Sequence, residues 1–170
     1  LLVSNAELGM FGGAEESSIE QVQALFDVNV FGVMRATNAV LPYMRAQQSG
    51  RIINISSVLG FIPSPFGAIY SATKHAVEGY SESLDHEMRS FGIRVVLVEP
   101  YFTRTPSDLN AIGPDRSLPA YAASREKAND NRKASIAAGD APELVAGTVL
   151  AAPISPAPQL RYAASKSARG

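Results

Sequence analysis

Two tyrosine–lysine pairs in the sequence have residue types and a spacing that could carry out proton-transfer chemistry. In each pair the lysine follows the tyrosine by four residues, which places both side chains on one face of a helix. A free tyrosine has a pKa of about 10 and is a poor base at neutral pH. A neighbouring ammonium group stabilises the phenolate, so such a pair can act as a general acid and base. The pairs are Tyr70 with Lys74, and Tyr162 with Lys166.

The residues that precede the first pair favour it over the second. Ser57 lies thirteen positions before Tyr70, at the predicted end of a strand, and Asn29 lies forty-one positions before it, on a predicted helix. A serine hydroxyl can hydrogen-bond a substrate oxygen and help to hold a developing alkoxide. The equivalent positions before Tyr162 hold a valine and another tyrosine, and the chain ends shortly after Lys166. We therefore interpret the second pair as accidental.

The elements that must position these residues follow from the apolar pattern. Apolar runs predict strands over residues 1–3, 51–55 and 93–98, and apolar residues spaced by three and four predict a helix over residues 18–44. The apolar stripe of a second helix comprises Ile69, Ala72, Ala76, Tyr80, Leu84, Met88 and Phe91. Strands that alternate with crossover-length helices predict an α/β fold with a parallel sheet. Polar residues beyond the carboxyl ends of such strands are expected to form the site.

The periodic pattern is lost over residues 101–139, where the sequence is polar and contains three prolines and a charged run over residues 125–133. We expect this irregular segment to be a substrate-binding lid, because long loops in compact domains are usually functional. Its apolar residues favour a lipophilic substrate, and they are Phe102, Leu109, Ile112 and Leu118. A further helix is predicted over residues 140–150, followed by a last strand near residues 160–162.

Five segments together resemble the second half of the short-chain dehydrogenase/reductase family in order and spacing. They are Asn5-Ala6, Asn29 in Asn-Val-Phe-Gly, Ser57 in Asn-Ile-Ser-Ser, Tyr70-Ser-Ala-Thr-Lys74, and the stretch from Pro100 to Thr105. The motifs are strong from residue 1 to about residue 105 and weaker through the last helix. The resemblance implies a single partial Rossmann-type domain over residues 1–170, the C-terminal catalytic half of an NAD(P)-dependent oxidoreductase that interconverts a ketone or aldehyde and an alcohol.

The resemblance also implies a role for each site residue. Tyr70 is the expected acid and base, Lys74 supports it and binds the nicotinamide ribose, Ser57 holds the substrate oxygen, and Asn29 holds a water that links the lysine to solvent. The residues expected to bind the cofactor are Asn5, Ala6, Tyr70, Lys74, Pro100, Thr103 and Thr105. No metal is expected in the site.

The sequence departs from the family pattern in three places. Glu7 stands where the family has the glycine of Asn-Asn-Ala-Gly, which predicts a negative side chain near the cofactor, and Tyr101 replaces the glycine of Pro-Gly. No glycine-rich phosphate loop occurs before Leu1, so we expect the chain to be truncated at its N-terminus, without the first βαβαβ units. NAD and NADP are then not distinguishable, and an open sheet edge favours a homo-oligomer.

Composition and the remaining motifs bear on other function classes. A net charge of −1 with scattered lysines and arginines does not predict a basic surface for nucleic-acid binding. No apolar run is long enough for a membrane span. His75 and His86 lie on the polar side of the second helix, without the Gly-x-Ser-x-Gly elbow that a serine hydrolase of the α/β type uses. A cytoplasmic protein is the default expectation. The alternative to an enzyme is a non-catalytic fragment or a binding and oligomerisation module, which titration with NADH and NADPH would distinguish.

Overall fold

A computed structural model describes residues 1–105, 111–152, 155 and 157–166 of the chain. The sheet in these ranges has four parallel strands in the order β1-β2-β3-β4. The strands are β1 (Leu2–Ser4), β2 (Gly50–Ile55), β3 (Ile93–Pro100) and β4 (Arg161–Ala164). The α-helices are α1 (Ile19–Phe26), α2 (Gly32–Ala46), α3 (Ala68–Met88), α4 (Ala122–Ala137) and α5 (Pro142–Ala151). The predicted parallel α/β fold is confirmed.

Strand β3 lies in the interior of the sheet and explains why its sequence is almost uniformly apolar. It pairs with β2 on one side, with Ile53 opposite Val96, and with β4 on the other. Alternate side chains of β3 point to opposite faces, and both faces are covered. Val95 and Leu97 pack toward α2 and α3, whereas Val96 and Val98 pack toward α5. The sheet is therefore the middle layer of three.

The helix predicted over residues 18–44 has the expected start but is not continuous. Ser18 caps α1, because its hydroxyl accepts a hydrogen bond from the N–H of Gln21 at 3.1 Å. A π-helical turn over Asp27–Phe31 separates α1 from α2, which extends to Ala46. The widened turn contains Asn29, one of the predicted site residues. Single π turns within helices are frequent at functional sites.

Helix α3 has a more polar buried face than the apolar stripe predicts. Ala72 in that stripe is exposed, and the apolar residues of α3 that the structure does bury are Val77, Leu84 and Met88. The other buried residues of α3 are polar or charged, and they are Ser71, Thr73, Lys74, Glu78, Ser81 and Asp85. The prediction was wrong here because several of these polar groups, such as Lys74, Glu78 and Ser81, have partners on distant strands. Past α3, Gly92 adopts a φ of 69° as predicted for a helix stop.

The expectation of an irregular segment over residues 101–139 is also wrong. Helix α4 spans Ala122–Ala137 and contains the charged run. Of its residues only Ile136 is buried, so the apolar spacing that reveals most helices is absent. The predicted last helix and last strand are confirmed by α5 and β4. Within the described ranges, each helix is too short or too polar to span a bilayer.

Candidate active site

A cleft of about 810 Å³ lies where the parallel strands end, as expected for a sheet of this kind. Asn5 and Ala6 reach it from the end of β1, Ser57 from the end of β2, and residues after β3 complete the wall. Of the seven residues predicted to bind the cofactor, six line this cleft, and they are Asn5, Ala6, Tyr70, Pro100, Thr103 and Thr105. The structure thus brings together segments that are up to 100 residues apart in sequence.

Tyr70, in the first turn of α3, lines this cleft and also a second cavity. The second cavity has a volume of about 290 Å³. Its larger apolar lining residues are Met10, Phe11, Leu59, Pro65, Phe102 and Ile136. The Tyr70 side chain therefore stands between a larger cleft and a smaller cavity, both of which have mainly apolar walls. A proton donor at such a boundary can serve a reaction between two ligands, one in each space.

Lys74 lies one helical turn after Tyr70, and its side chain is only 3% exposed. Its Nζ donates a hydrogen bond to the carbonyl oxygen of Ile55 at 2.9 Å, at the end of β2. The same atom lies 5.6 Å from the centre of the Tyr70 ring. A buried ammonium needs partners that replace its hydration, and here backbone and side chain supply them. The predicted pairing of Tyr70 with Lys74 on one helix face is present.

Glu7 contacts both members of this pair. Its Oε2 forms an ion pair with Lys74 Nζ and accepts a hydrogen bond from the Tyr70 hydroxyl at 3.2 Å. The sequence predicts a negative side chain near the cofactor at this position, but not that it bridges the catalytic candidates. The signal available in the sequence was the replacement of a family glycine by glutamate.

Asn29 holds the loop that follows β1 rather than contacting Lys74. Its Oδ1 accepts from the N–H of Leu8 at 2.8 Å, and its Nδ2 donates to the carbonyl oxygen of Leu8 at 2.9 Å. The same Nδ2 donates to Thr73 Oγ1 at 3.3 Å, and that hydroxyl donates to the carbonyl oxygen of Tyr70 at 2.7 Å. Asn29 therefore links this loop, which carries Glu7, to α3 through hydrogen bonds.

Ser57 and the loop after β3 complete the cleft. The Ser57 hydroxyl accepts a hydrogen bond from the N–H of Leu59 at 3.2 Å, and its own hydrogen can be donated to another group. Thr103 is buried, and its hydroxyl donates to the carbonyl oxygen of Tyr101 at 3.0 Å. The N–H of Thr105 donates to the carbonyl oxygen of Thr103 at 2.8 Å. These bonds shape a compact turn in which both threonines line the cleft.

Leu109 of the predicted lid lies outside the described residues. The segment from residue 111 onwards is bonded to the N-terminal part of the chain. The buried Glu16 carboxylate forms an ion pair with Arg125 of α4 and accepts from the N–H of Leu118 at 2.8 Å. The bond from Arg125 lowers the pKa of Glu16 more than burial raises it. Arg132 of α4 stacks over Phe11 at 4.9 Å and lines the smaller cavity.

A cluster of two buried glutamates around an arginine was not predicted from the sequence. Glu99, near the end of β3, lies 3.0 Å from Arg161 Nε, and Arg161 Nε also lies 3.2 Å from Glu78. Burial raises the pKa of Glu99 to about 7, and the negative charge of Glu78 adds to this effect against the opposing charge of Arg161. The sequence offers no signal for the cluster, because its members come from α3, β3 and β4.

The remaining candidates for chemistry lie apart from the cleft. His75 and His86 are exposed, as predicted. Tyr162 lies in β4 and Lys166 follows that strand, so, unlike Tyr70 and Lys74, they do not share a helix face. Within residues 1–105, 111–152, 155 and 157–166, histidine, aspartate and glutamate form no group of three or more suited to a metal ion.

Known proteins resemble this chain in both sequence and structure. A sequence profile of the family described as short chain dehydrogenase matches residues 1–112. The chain belongs to the short-chain dehydrogenase family. An uncharacterized oxidoreductase of Schizosaccharomyces pombe is 33% identical over 162 residues, which are 95% of this chain and 68% of that protein.

Two further relatives of this short-chain dehydrogenase chain match a shorter stretch. The 3-ketodihydrosphingosine reductase of Bacteroides thetaiotaomicron is 47% identical over 100 residues, which are 59% of this chain and 37% of the reductase. Human retinol dehydrogenase 8 is 43% identical over 100 residues, which are 59% of this chain and 32% of that enzyme. The chain thus spans about a third of the length of both proteins.

Solved structures of short-chain dehydrogenases share the fold. A short-chain dehydrogenase from Streptomyces avermitilis has a TM-score of 0.87 and 35% identity, with 99% of this chain and 61% of that one covered. One from Burkholderia phymatum in complex with NAD has a TM-score of 0.81 and 25% identity, covering 96% and 60%. Gluconate 5-dehydrogenase from Burkholderia cenocepacia in complex with NADP has a TM-score of 0.61 and 31% identity, covering 63% and 42%.

Proposed function

We propose that this chain carries the catalytic residues of an NAD(P)-dependent oxidoreductase that interconverts a ketone or aldehyde and an alcohol. The observation that carries the proposal is the position of Tyr70. Its side chain lines both the larger cleft and the smaller apolar cavity, and the buried ammonium of Lys74 lies one turn away. This arrangement places a proton donor at the boundary between two ligand-sized spaces, with an ammonium group nearby that stabilises its deprotonated form.

The larger cleft is the proposed cofactor site. Its volume, the polar loop residues at the strand ends and the Tyr101 ring at its wall suit a nicotinamide and its ribose. Asn5, Ala6, Pro100, Thr103 and Thr105 would line the bound group. Relatives of this fold are described in complex with NAD and with NADP, so both nucleotides are candidates. The cofactor would supply or accept the hydride.

The residues of this chain then carry the proton chemistry. In the direction of reduction, the Tyr70 hydroxyl donates its proton to the substrate oxygen as the carbonyl becomes an alcohol, and in oxidation the phenolate takes the proton back. Lys74 stabilises the phenolate by its charge. Ser57 donates a hydrogen bond to the same substrate oxygen. Asn29 holds the loop after β1 in place. We also propose for it the role that the family resemblance implies, which is to hold a water that links Lys74 to solvent.

A lipophilic substrate is the second part of the proposal. The smaller cavity is lined mostly by apolar side chains, including Phe102 from the predicted lid, and α4 covers it with Ile136. One relative is named for 3-ketodihydrosphingosine and another for retinol, a ketone and an alcohol respectively. Residues 101–139 are the proposed lid. A cytoplasmic location stays the default proposal. Homo-oligomeric assembly is proposed because an open sheet edge favours it, and analytical ultracentrifugation of the intact protein tests the assembly.

Two measurements on the intact protein test the proposal. Titration with NADH and with NADPH, followed by nicotinamide fluorescence, is expected to show saturable binding of at least one nucleotide. Carbonyl reduction is then followed by loss of nicotinamide absorbance, with short polar ketones compared against ketones with long alkyl chains. We expect the long-chain ketones to have the higher kcat/KM. Folded protein that binds neither nucleotide contradicts the proposed function, and a preference for the polar ketones contradicts the lipophilic substrate.

A further inference from the structure

The Glu7 carboxylate occupies hydrogen-bonding positions that the proposed reaction requires for other groups. A tyrosine hydroxyl has one hydrogen to donate, and Tyr70 donates it to Glu7 Oε2 at 3.2 Å. The Lys74 ammonium has three hydrogens, of which one goes to the carbonyl oxygen of Ile55, while the ion pair with Glu7 engages the ammonium on another side. In this state the Tyr70 proton is directed at Glu7 and not at a substrate oxygen.

The local structure holds Glu7 in this position. The next residue, Leu8, is bonded through both its N–H and its carbonyl oxygen to the side-chain amide of the buried Asn29. Asn29 is itself tied to α3 through Thr73, so the loop and the helix that carries Lys74 are fixed relative to each other. The Glu7 side chain is 26% exposed and lines the larger cleft, so solvent reaches it from the cleft.

We propose that Glu7 is an internal competitor for the cofactor, a carboxylate that binds the Lys74 ammonium and the Tyr70 hydroxyl until the hydroxyl groups of the nicotinamide ribose replace it. This inference rests on the proposed function, and it assigns Glu7 as a residue that sets cofactor affinity. A ribose hydroxyl and a carboxylate oxygen both accept hydrogen bonds from an ammonium, so they compete for Lys74. Binding of the cofactor therefore includes the cost of breaking an ion pair.

Competition of this kind has two opposite effects on the protein. Without ligand, Glu7 stabilises the fold because it neutralises a buried positive charge. With ligand, the same contact opposes binding, because a state that must be left before binding lowers the apparent affinity. A residue that merely supports the fold would affect stability without improving affinity when it is removed. A residue that contacts the ligand favourably would weaken affinity when it is removed.

The test compares Glu7→Gln and Glu7→Gly with the intact wild-type protein. Glu7→Gln removes the charge and keeps the side-chain size, and Glu7→Gly also clears the space. The control is Glu20→Gln, which removes a charge from an exposed position on α1. Dissociation constants for NADH and NADPH are measured by nicotinamide fluorescence, and the melting temperature is measured without ligand.

We expect Glu7→Gly to bind the preferred nucleotide about tenfold more tightly than wild type, and Glu7→Gln to change affinity in the same direction. Both variants are expected to melt at a lower temperature without ligand. Glu20→Gln is expected to keep wild-type affinity and to melt closer to wild type than either Glu7 variant, since its exposed charge meets only the helix dipole in the first turn of α1. The inference is overturned if Glu7→Gln binds the nucleotide no more tightly than wild type, and this result is decisive even if Glu7→Gly does not fold. A melting temperature of Glu7→Gln equal to that of wild type also overturns it. If wild type binds a nucleotide but the Glu7 variants give one of these contrary results, the inference fails and the proposed function stands. If neither wild type nor any variant binds, the proposed function fails and the inference fails with it.

Discussion

Glu99 is the group whose titration should be most visible in the stability of this protein. It lies near the end of β3, buried beside Glu78, and Arg161 is its positively charged neighbour. Burial raises its pKa from an ordinary 4.5 to about 7. The folded protein therefore holds a proton on Glu99 at pH values where the unfolded chain has released it. Stability is fully present below about pH 4.5 and falls as the pH rises through about 7.

The size of this effect follows from the interval between the two pKa values. A tenfold change in an acid constant corresponds to about 1.4 kcal/mol, so a rise from 4.5 to about 7 corresponds to about 3 kcal/mol. Arg161 is 42% exposed, so water reaches the cluster and screens its charges. We therefore expect Glu99 to contribute a loss of about 2 kcal/mol in the free energy of unfolding between pH 5 and pH 8.

The substitution Glu99→Gln removes this titration and keeps the shape of the side chain. Urea denaturation of the intact protein at pH 5 and pH 8 gives the free energy of unfolding of wild type and variant. The variant is expected to lose about 2 kcal/mol less than wild type between the two pH values, and to be the more stable protein at pH 8. Glu126→Gln, at an exposed position on α4, is the matched control. Equal pH dependence in wild type and Glu99→Gln would refute the reasoning.

Two further predictions concern contacts that hold the site in place. Asp85→Asn is expected to lower the free energy of unfolding, measured by urea denaturation, by about 3 kcal/mol. The reason is that buried Asp85 accepts hydrogen bonds from Arg94 Nε and from the N–H of Val95, each at 2.9 Å. A loss below about 0.5 kcal/mol, which is typical of surface changes, would contradict this. Arg125→Met is expected to raise hydrogen exchange in α4 while leaving β3 protected, because it removes the ion pair with Glu16. Unchanged exchange in α4 would show that this contact does not hold α4 in place.

Asp85 has a pH dependence opposite in sign to that of Glu99. Burial disfavours its charged form, but the hydrogen bonds from Arg94, the N–H of Val95 and Arg89 together outweigh burial and lower its pKa. Its contribution to stability is therefore present above the ordinary pKa of aspartate and is lost as the pH falls through the lowered value. Glu126→Gln again serves as the control, since it removes a charge from an exposed position on α4.

Much of the fold could be predicted because its signals are local. The apolar run in β3 indicates a strand covered on both faces, and the start of α1 at Ser18 and the stop after α3 at Gly92 follow from capping chemistry. Helix α4 could not be predicted in this way, since the structure buries only Ile136 on it. The π turn around Asn29 was hidden because the apolar spacing continues through it.

The residues that line the larger cleft could largely be predicted from the sequence, but their contacts could not. The family pattern identified Tyr70, Lys74 and Ser57, and the structure places Tyr70 and Ser57 on the wall of one cleft with Lys74 beside Tyr70. The partners of the charged groups depend on tertiary structure, which sequence spacing does not report. Glu7 is 67 residues from Lys74, and Glu99 is 62 residues from Arg161, yet each pair is in contact.

The measurement that tests the central claim most directly is the turnover of Tyr70→Phe in the intact protein, with Tyr162→Phe as its matched control. Phenylalanine keeps the ring at the boundary of the two cavities and removes only the hydroxyl that donates the proton. Removal of a general acid lowers kcat by about 100-fold to 10,000-fold. We predict a loss of that size for Tyr70→Phe with saturable nucleotide binding retained, and wild-type turnover for Tyr162→Phe, whose hydroxyl accepts from the N–H of Gln159 in a different part of the molecule. Turnover of Tyr70→Phe close to that of wild type would contradict the account.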